Sequence, residues 1–319
     1  MNGSESSARG NGGAARSPRA VAAVFLGALG IAFAPVFIKT SEVRPVTTAF
    51  WRLFLSLPFF WTMLALQSRR DRSRGGASGG LRVALPLMVP GLFFACDLAV
   101  WHWSLQFTSA ANSTLLVNMA PILVTIVGWV WLRERFTWLF VAGLVIACGG
   151  SVFVVGSGTA QAASNPLLGD ALALSTAFFY AGYQVAAKVL RRRFTVMRIM
   201  AWSSTSATVC LLVMALASGE SLLPRTLAGW QILIGLVISC QICGQGLIVY
   251  GLAHLPAGFS SVTLLIQPIA AALLAWALLG EQMLPAQYFA GPIVLCGILL
   301  ARFGSLPPAP RPAPDAAES

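Results

Sequence analysis

Charge is what this chain has least of. Only 10% of its 319 residues are Asp, Glu, Lys or Arg, against roughly a quarter in soluble domains. Hydrophobic residues make up 57%, and the mean hydropathy is +0.78. A fold in water has no means of covering that much apolar surface, so composition points to lipid as the solvent. Histidine is nearly absent: His102 and His254 are the only two. With them go the H-E-x-x-H metal motif, and the chain also lacks a P-loop and any nucleotide-binding unit. These absences count against an intramembrane hydrolase and against a nucleotide-driven pump, and no cofactor or metal is expected. The six cysteines (Cys96, Cys148, Cys210, Cys240, Cys243, Cys296) all lie in apolar runs. Cys240 and Cys243 form C-x-x-C with no partner pair, so all six read as small packing residues.

What is present is a series of long apolar runs. A spanning helix needs about 20 mainly apolar residues in succession. The pattern predicts ten spans, at 20–39, 46–67, 83–105, 109–131, 137–157, 168–188, 197–217, 229–251, 257–279 and 285–303. The runs are too long for barrel strands, and lipid leaves only helices or closed barrels. The first run has a basic flank and an A-x-A at Ala32–Ala34, as a cleaved leader would. Its apolar character continues through Val36, Phe37 and Ile38, which favours a span.

Basic residues give the direction. With the N-terminus in the cytoplasm, one side collects Arg9, Arg16, Arg19, Arg69, Arg70, Arg72, Arg74, Arg82, Arg133, Arg135, Lys188, Arg191, Arg192, Arg193, Arg198, Arg302 and Arg311. The other side holds Lys39, Arg44 and Arg225, and Arg52 stays inside a span. That bias places both termini in the cytoplasm. The net charge of +11 is therefore a topology signal and not a nucleic-acid patch. Residues 1–18 and 304–319, rich in Gly, Ser, Ala and Pro, read as disordered tails.

The chain also repeats itself. "PILVTIVGWVWLRER" (121–135) and "PIAAALLAWALLGEQ" (268–282) share Pro121/Pro268, Trp129/Trp276, Leu132/Leu279 and Glu134/Glu281 at one constant offset. Gly150 and Gly297 keep it. Two units follow, 19–157 and 168–303, each of five helices. An odd number per unit inverts the second relative to the first, an arrangement in which substrate sites lie between the halves. Pro121 and Pro268 are read as mid-helix bends that could serve as hinges. Glu134 and Glu281 are read as helix ends and loop anchors, where the chain leaves lipid and a charge is cheap.

Residues 103–150 and 255–297, which contain both copies, resemble the drug/metabolite transporter superfamily in its EamA-type ten-helix branch. The shared pattern is a small-residue helix start, a Pro, an L-x-E helix end and a Gly-rich final helix. The first copy has Arg133 where the family prefers Gly before the Glu. The resemblance implies a secondary transporter in an inner (cytoplasmic) membrane, exporting amino acids and other metabolites or importing vitamins.

Ionisable groups in mid-membrane are expensive and belong against a cavity or a partner. Arg52 and Asp97 are the two such groups. Asp97, Trp101 and Ser104 follow i, i+4, i+7, one helix face. Asn112, Thr114 and Asn118 line the fourth run; Tyr180, Tyr183 and Gln184 the sixth; Gln241 and Gln245 the eighth; Ser260, Thr263 and Gln267 the ninth. Together they predict a polar pore with aromatic walls. The expected substrate-binding set is Asp97, Trp101, Asn118, Tyr180, Gln184, Gln241, Gln245 and Gln267. A plainer reading is hydrogen bonding between helices, with Asp97–Arg52 as a structural ion pair. One base, one acid, amides and indoles suit a small zwitterionic or neutral compound such as an amino acid. A flat heterocycle such as riboflavin, imported, is the alternative, and an intramembrane enzyme ranks below it. A proton is the candidate coupling ion, through Asp97. The assembly is expected to be a monomer or a homodimer.

The charge pattern makes a direct prediction. Tags on either terminus should be reached only from the cytoplasm, and a cysteine replacing Ser221 or placed in the loop 159–165 only from outside. Labelling of both loops from the cytoplasm would reject this topology.

Overall fold

The structure, a computed structural model, describes residues 18–72, 81–107, 116–156, 165–279 and 285–305. The greater part of both expected tails, Asn112, Thr114, loop residues 159–164 and Glu281 lie outside these residues, as do the side chains of Lys39 and His102. Among the described residues the chain is helical apart from its connections and one isolated bridge, Phe136 to Ser305. Helix starts at Pro18 and runs to Gly304, so regular structure just enters each expected tail.

We number the helical rods in chain order. The first half contains α1 (Pro18–Ala32 with Ala34–Thr40), α2 (Pro45–Phe54 with Leu57–Arg72), α3 (Leu81–Phe107), α4 (Ala120–Val130) and α5 (Trp138–Gly156). The second contains α6 (Pro166–Arg191), α7 (Val196–Ala217), α8 (Leu227–Leu236, Val237–Gln245 and Gly246–Leu252), α9 (Ala257–Thr263 with Ile266–Leu279) and α10 (Pro285–Gly304). By length and apolar composition, α1, α2, α3, α7, α8 and α9 each hold a run able to cross a membrane; α4, α5 and α10 hold shorter apolar runs. The chain is an all-helical integral membrane protein.

Contacts between rods follow the repeat. The closest pairings join α5 to α10, α3 to α6 and to α7, α2 to α7, α1 to α8, and α4 to α9 and α6. Exchanging each rod for its counterpart five places along turns α3·α6 into α8·α1 and α4·α6 into α9·α1, which is also a contact. Of the remaining pairs, α2·α7, α4·α9 and α5·α10 map onto themselves, and α3·α7 becomes α8·α2, a slighter contact. The halves thus meet face to face, and the space they enclose lies between α1, α3, α4, α6, α8 and α9.

Small residues make these approaches. A Cβ on Gly297 would lie 2.4 Å from the backbone nitrogen of Ala147, and one on Gly143 would lie 2.4 Å from that of Ala301. On α1, a Cβ on Gly27 would meet the carbonyl of Gly244 at 2.7 Å. Lipid supplies no hydrophobic drive between helices, so close backbone packing carries the association.

Both prolines break their rods, though not in mid-helix as the sequence suggested. Pro121 sits in the first turn of α4, directly after turn residues at 118–119. Pro268 sits early in Ile266–Leu279, after turn residues at 264–265. A proline has no N–H for the carbonyl four residues back. The Leu264 carbonyl instead accepts from Gln267 N at 2.9 Å, a tighter i→i−3 turn. The break thus falls at nearly the same place in both halves.

Polar side chains tie the connections at one end. Glu42 accepts from Arg225 N (2.8 Å), Thr226 N (3.1 Å) and the Thr226 hydroxyl. The Thr226 hydroxyl leads in holding this carboxyl below the usual range. Glu220 accepts from both the backbone N and the hydroxyl of Thr47, each at 2.9 Å.

The close α5–α10 approach predicts the effect of adding bulk. Gly297→Val should destabilise the protein by about 1–3 kcal/mol through overpacking, whereas Gly149→Ala, with nothing within 4 Å of the added Cβ, should leave stability unchanged or raised. Thermal unfolding followed by size-exclusion chromatography separates the two.

Candidate functional site

Six rods and the inner part of α2 surround one cavity of about 170 Å³. Arg52 enters it from α2; Phe94, Asp97 and Trp101 from α3; Asn118 and Pro121 from the start of α4. Thr176 and Tyr180 come from α6, Gln245 from α8, and Ser261 and Gln267 from α9. Of the eight residues expected to bind substrate, six line this space: Asp97, Trp101, Asn118, Tyr180, Gln245 and Gln267.

Gln184 and Gln241 do not line it. Gln241 stands behind Arg52: Arg52 Nε donates to Gln241 Oε1 at 3.1 Å, and Gln241 Nε2 donates to Ser204 Oγ at 3.4 Å. Arg52 also reaches the Cys240 carbonyl at 3.5 Å and lies 5.6 Å from the centre of the Phe94 ring. Gln241 and Gln245 belong to a π-helical segment, Val237–Gln245. Such wider turns often mark functional sites. Here the segment brings one amide behind the guanidinium and the other to the cavity. Gln184 is fully buried on α6 one turn beyond Tyr180, and neither its amide nitrogen nor its oxygen has a partner among the described residues.

Arg52 and Asp97 line the same cavity, yet no ion pair within 4.0 Å joins them among the described residues. Arg52 is held by neutral acceptors, and the Asp97 carboxylate faces the open space. An acid and a base thus face one small volume with no ion pair between them among the described residues. Tyr183 packs behind the wall, stacked on Phe94 at 5.0 Å and donating to Gln245 Oε1 at 3.3 Å. Its role is to fix the ring and the amide that do face inward. Ser104 bonds back to the Trp101 carbonyl at 2.7 Å.

In α9 the expected face was wrong by one residue. The spacing named Ser260 and Thr263, but Ser261 lines the cavity and Thr263 bonds to the Phe259 carbonyl at 2.9 Å. The break at residues 264–265 shifts the helical phase, so a pattern drawn on an unbroken helix misplaces everything before it.

The sequence reading missed a second site. Glu134 is not at an exposed helix end: it is 7% exposed. Its carboxylate pairs with Lys188 Nζ at 2.9 Å and accepts from Ala257 N at 2.8 Å and Gly258 N at 3.3 Å. Lys188 also donates to the Leu255 carbonyl. The loop-anchoring role read for Glu134 is therefore filled, but by burial across the two halves. One signal was available in sequence: a lysine at the end of a span has a reason to be there if an acid faces it.

A helical membrane protein enclosing a polar cavity between two halves is the class these features define. More narrowly, the model of the EamA-like transporter family matches residues 18–156 and again 167–303, and the chain belongs to that family. It is similar to a probable terminal-alkyne amino-acid exporter of Streptantibioticus cattleyicolor, 27% identical over 203 residues. That match covers 62% of this chain and 66% of the relative, slightly under two thirds of its length. An uncharacterized transporter of Archaeoglobus fulgidus is 24% identical over 278 residues, covering 83% of this chain and 91% of that protein. A solved crystal structure shares the fold with a TM-score of 0.74 at 18% identity, over 88% of this chain and 96% of the other.

The geometry separates two charged residues that the sequence treats alike. Arg52→Met should destabilise the protein by about 1–3 kcal/mol, because it strands the buried Gln241 oxygen. Asp97→Asn should leave thermal stability close to wild type, since no ion pair within 4.0 Å holds its carboxyl among the described residues. Unfolding midpoints of the two variants in detergent test this contrast.

Proposed function

We propose that the protein is a secondary transporter of amino acids or related small zwitterionic or neutral compounds, working by alternating access and in the direction of export. The observation that carries this reading is that Asp97 and Arg52 line one cavity together with the amides of Asn118, Gln245 and Gln267. An ammonium group meets Asp97. A carboxylate meets Arg52, whose other face stays on Gln241. Asn118, Gln245 and Gln267 solvate what lies between, and Trp101, Tyr180 and Phe94 hold an apolar side chain. The volume favours a small substrate, since pockets for drug-sized ligands run to roughly 300–1,000 Å³. The name of the Streptantibioticus relative supports the same class.

The units 19–157 and 168–303 are the bodies that rock, and the paired breaks before Pro121 and Pro268 are the hinges. The membrane is an inner (cytoplasmic) membrane with both termini in the cytoplasm, as the basic residues indicate. A proton is the coupling ion in this account, taken up at Asp97 when the cavity closes without substrate, in place of the ammonium group. Import of a flat heterocycle is the second reading, favoured by the aromatic walls.

Two measurements test the proposal. Overexpression should protect cells against a toxic amino-acid analogue and leave riboflavin uptake unchanged; the reverse outcome selects the second reading. In proteoliposomes Asp97→Asn should cut amino-acid flux by about tenfold or more, the loss of one charge-assisted hydrogen bond, and abolish any response to an imposed pH gradient. Wild-type flux in the variant would reject the role given to Asp97.

A further inference from the structure

Buried polar atoms without hydrogen-bond partners are rare in native proteins, and each calls for a reason. Here several gather in one region. Thr125 Oγ1 on α4, both amide atoms of Gln184 on α6, and Ser260 Oγ and Ser261 Oγ on α9 are buried with no partner among the described residues. All belong to the three rods that meet at the Glu134–Lys188 pair.

Spacing orders them. On α6, Thr176, Tyr180, Gln184 and Lys188 recur every fourth residue, so they share one helix face. Thr176 and Tyr180 line the cavity, and Lys188 holds Glu134. On α4, Pro121, Thr125 and Gly128 follow i, i+4, i+7. Pro121 lines the cavity, and a Cβ on Gly128 would lie 2.9 Å from Glu134 Oε2. On α9, Ser261 lines the cavity, and Gly258 donates its N–H to Glu134. Three stripes therefore start at the cavity and converge on one carboxylate. From Tyr180 to Lys188 the separation is about 12 Å at the rise of an α-helix. The space between is packed by Val124, Ala181, Val185 and Ala257.

We propose that these stripes are the closed half of the substrate path, and that Glu134 is the latch that shuts it. Glu134 belongs to the first half; Lys188, Ala257 and Gly258 belong to the second. The halves cannot separate at this end without breaking the ion pair and both backbone hydrogen bonds. On opening, Thr125, Gln184, Ser260 and Ser261 gain water as partner, and a polar substrate moving along them meets donors and acceptors at each turn. Their lack of partners is the mark of the closed state. This assignment rests on the reading of the cavity as a transport site, but its test needs no substrate.

The test is sided thiol labelling of full-length protein in liposomes. Gln184→Cys is introduced beside the native cysteines, whose background is measured on the same protein without it. A membrane-impermeant maleimide is added from the face bearing Glu134. Labelling of Gln184→Cys should be slow in the parent and faster by about tenfold when combined with Glu134→Gln, Lys188→Met or Gly128→Val, the scale of a coupling between states. Lys188→Met keeps the Glu134 hydrogen bonds to Ala257 and Gly258, so it decides the matter if Glu134→Gln does not fold. Labelling within about twofold of the parent in every folded variant would overturn the latch. Faster labelling with no amino-acid flux in wild type would keep the latch and discard the substrate assignment.

Discussion

Lipid offers no hydrogen bonds, and the rest of this molecule follows from that constraint. Each backbone group must be satisfied within its own helix. Each polar side chain must find a protein partner or a cavity. Arg52 finds protein partners in Gln241, Cys240 and the Phe94 ring. Asp97 finds the cavity, beside Trp101 and Tyr180. Glu134 and Lys188 satisfy each other, and removing one partner of such a buried pair costs about 3–5 kcal/mol. Among the described residues, the buried charged side chains Arg52, Asp97 and Glu134 thus gather at the cavity and at the Lys188 pair.

The duplicated architecture explains how a static pairing could serve a moving one. Rods of one half pack against counterparts of the other in a pattern that survives exchange. The glycines and alanines of α5 and α10 hold the halves together, while α4 and α9 carry the breaks. In the proposed mechanism the halves rock about the α5–α10 seam. Glu134 lies on the side that would open, tied to α6 and α9.

Much of this was legible in the residues. The greasy runs, the repeat at a constant offset and the L-x-E helix ends pointed to the helical transporter scaffold before any coordinates. Six of eight nominated cavity residues face one space, and three of them, Asp97, Trp101 and Tyr180, follow ordinary helical spacing on unbroken rods. The failures share a cause. Ser261 replaced Ser260 and Thr263 because a break at 264–265 rotates the start of α9. Gln241 withdrew behind Arg52 within a π-helical turn. The burial of Glu134 depends on Lys188, distant in sequence, and no periodicity within one helix reports a contact between two.

The central claim is that one cavity, reached alternately from each side, carries the substrate. Counterflow in proteoliposomes tests it most directly. Unlabelled amino acid trapped inside should accelerate entry of the labelled compound, with saturation, because a single site must return loaded faster than empty. Entry that rises linearly with concentration and ignores the trapped compound would contradict alternating access and point to a channel.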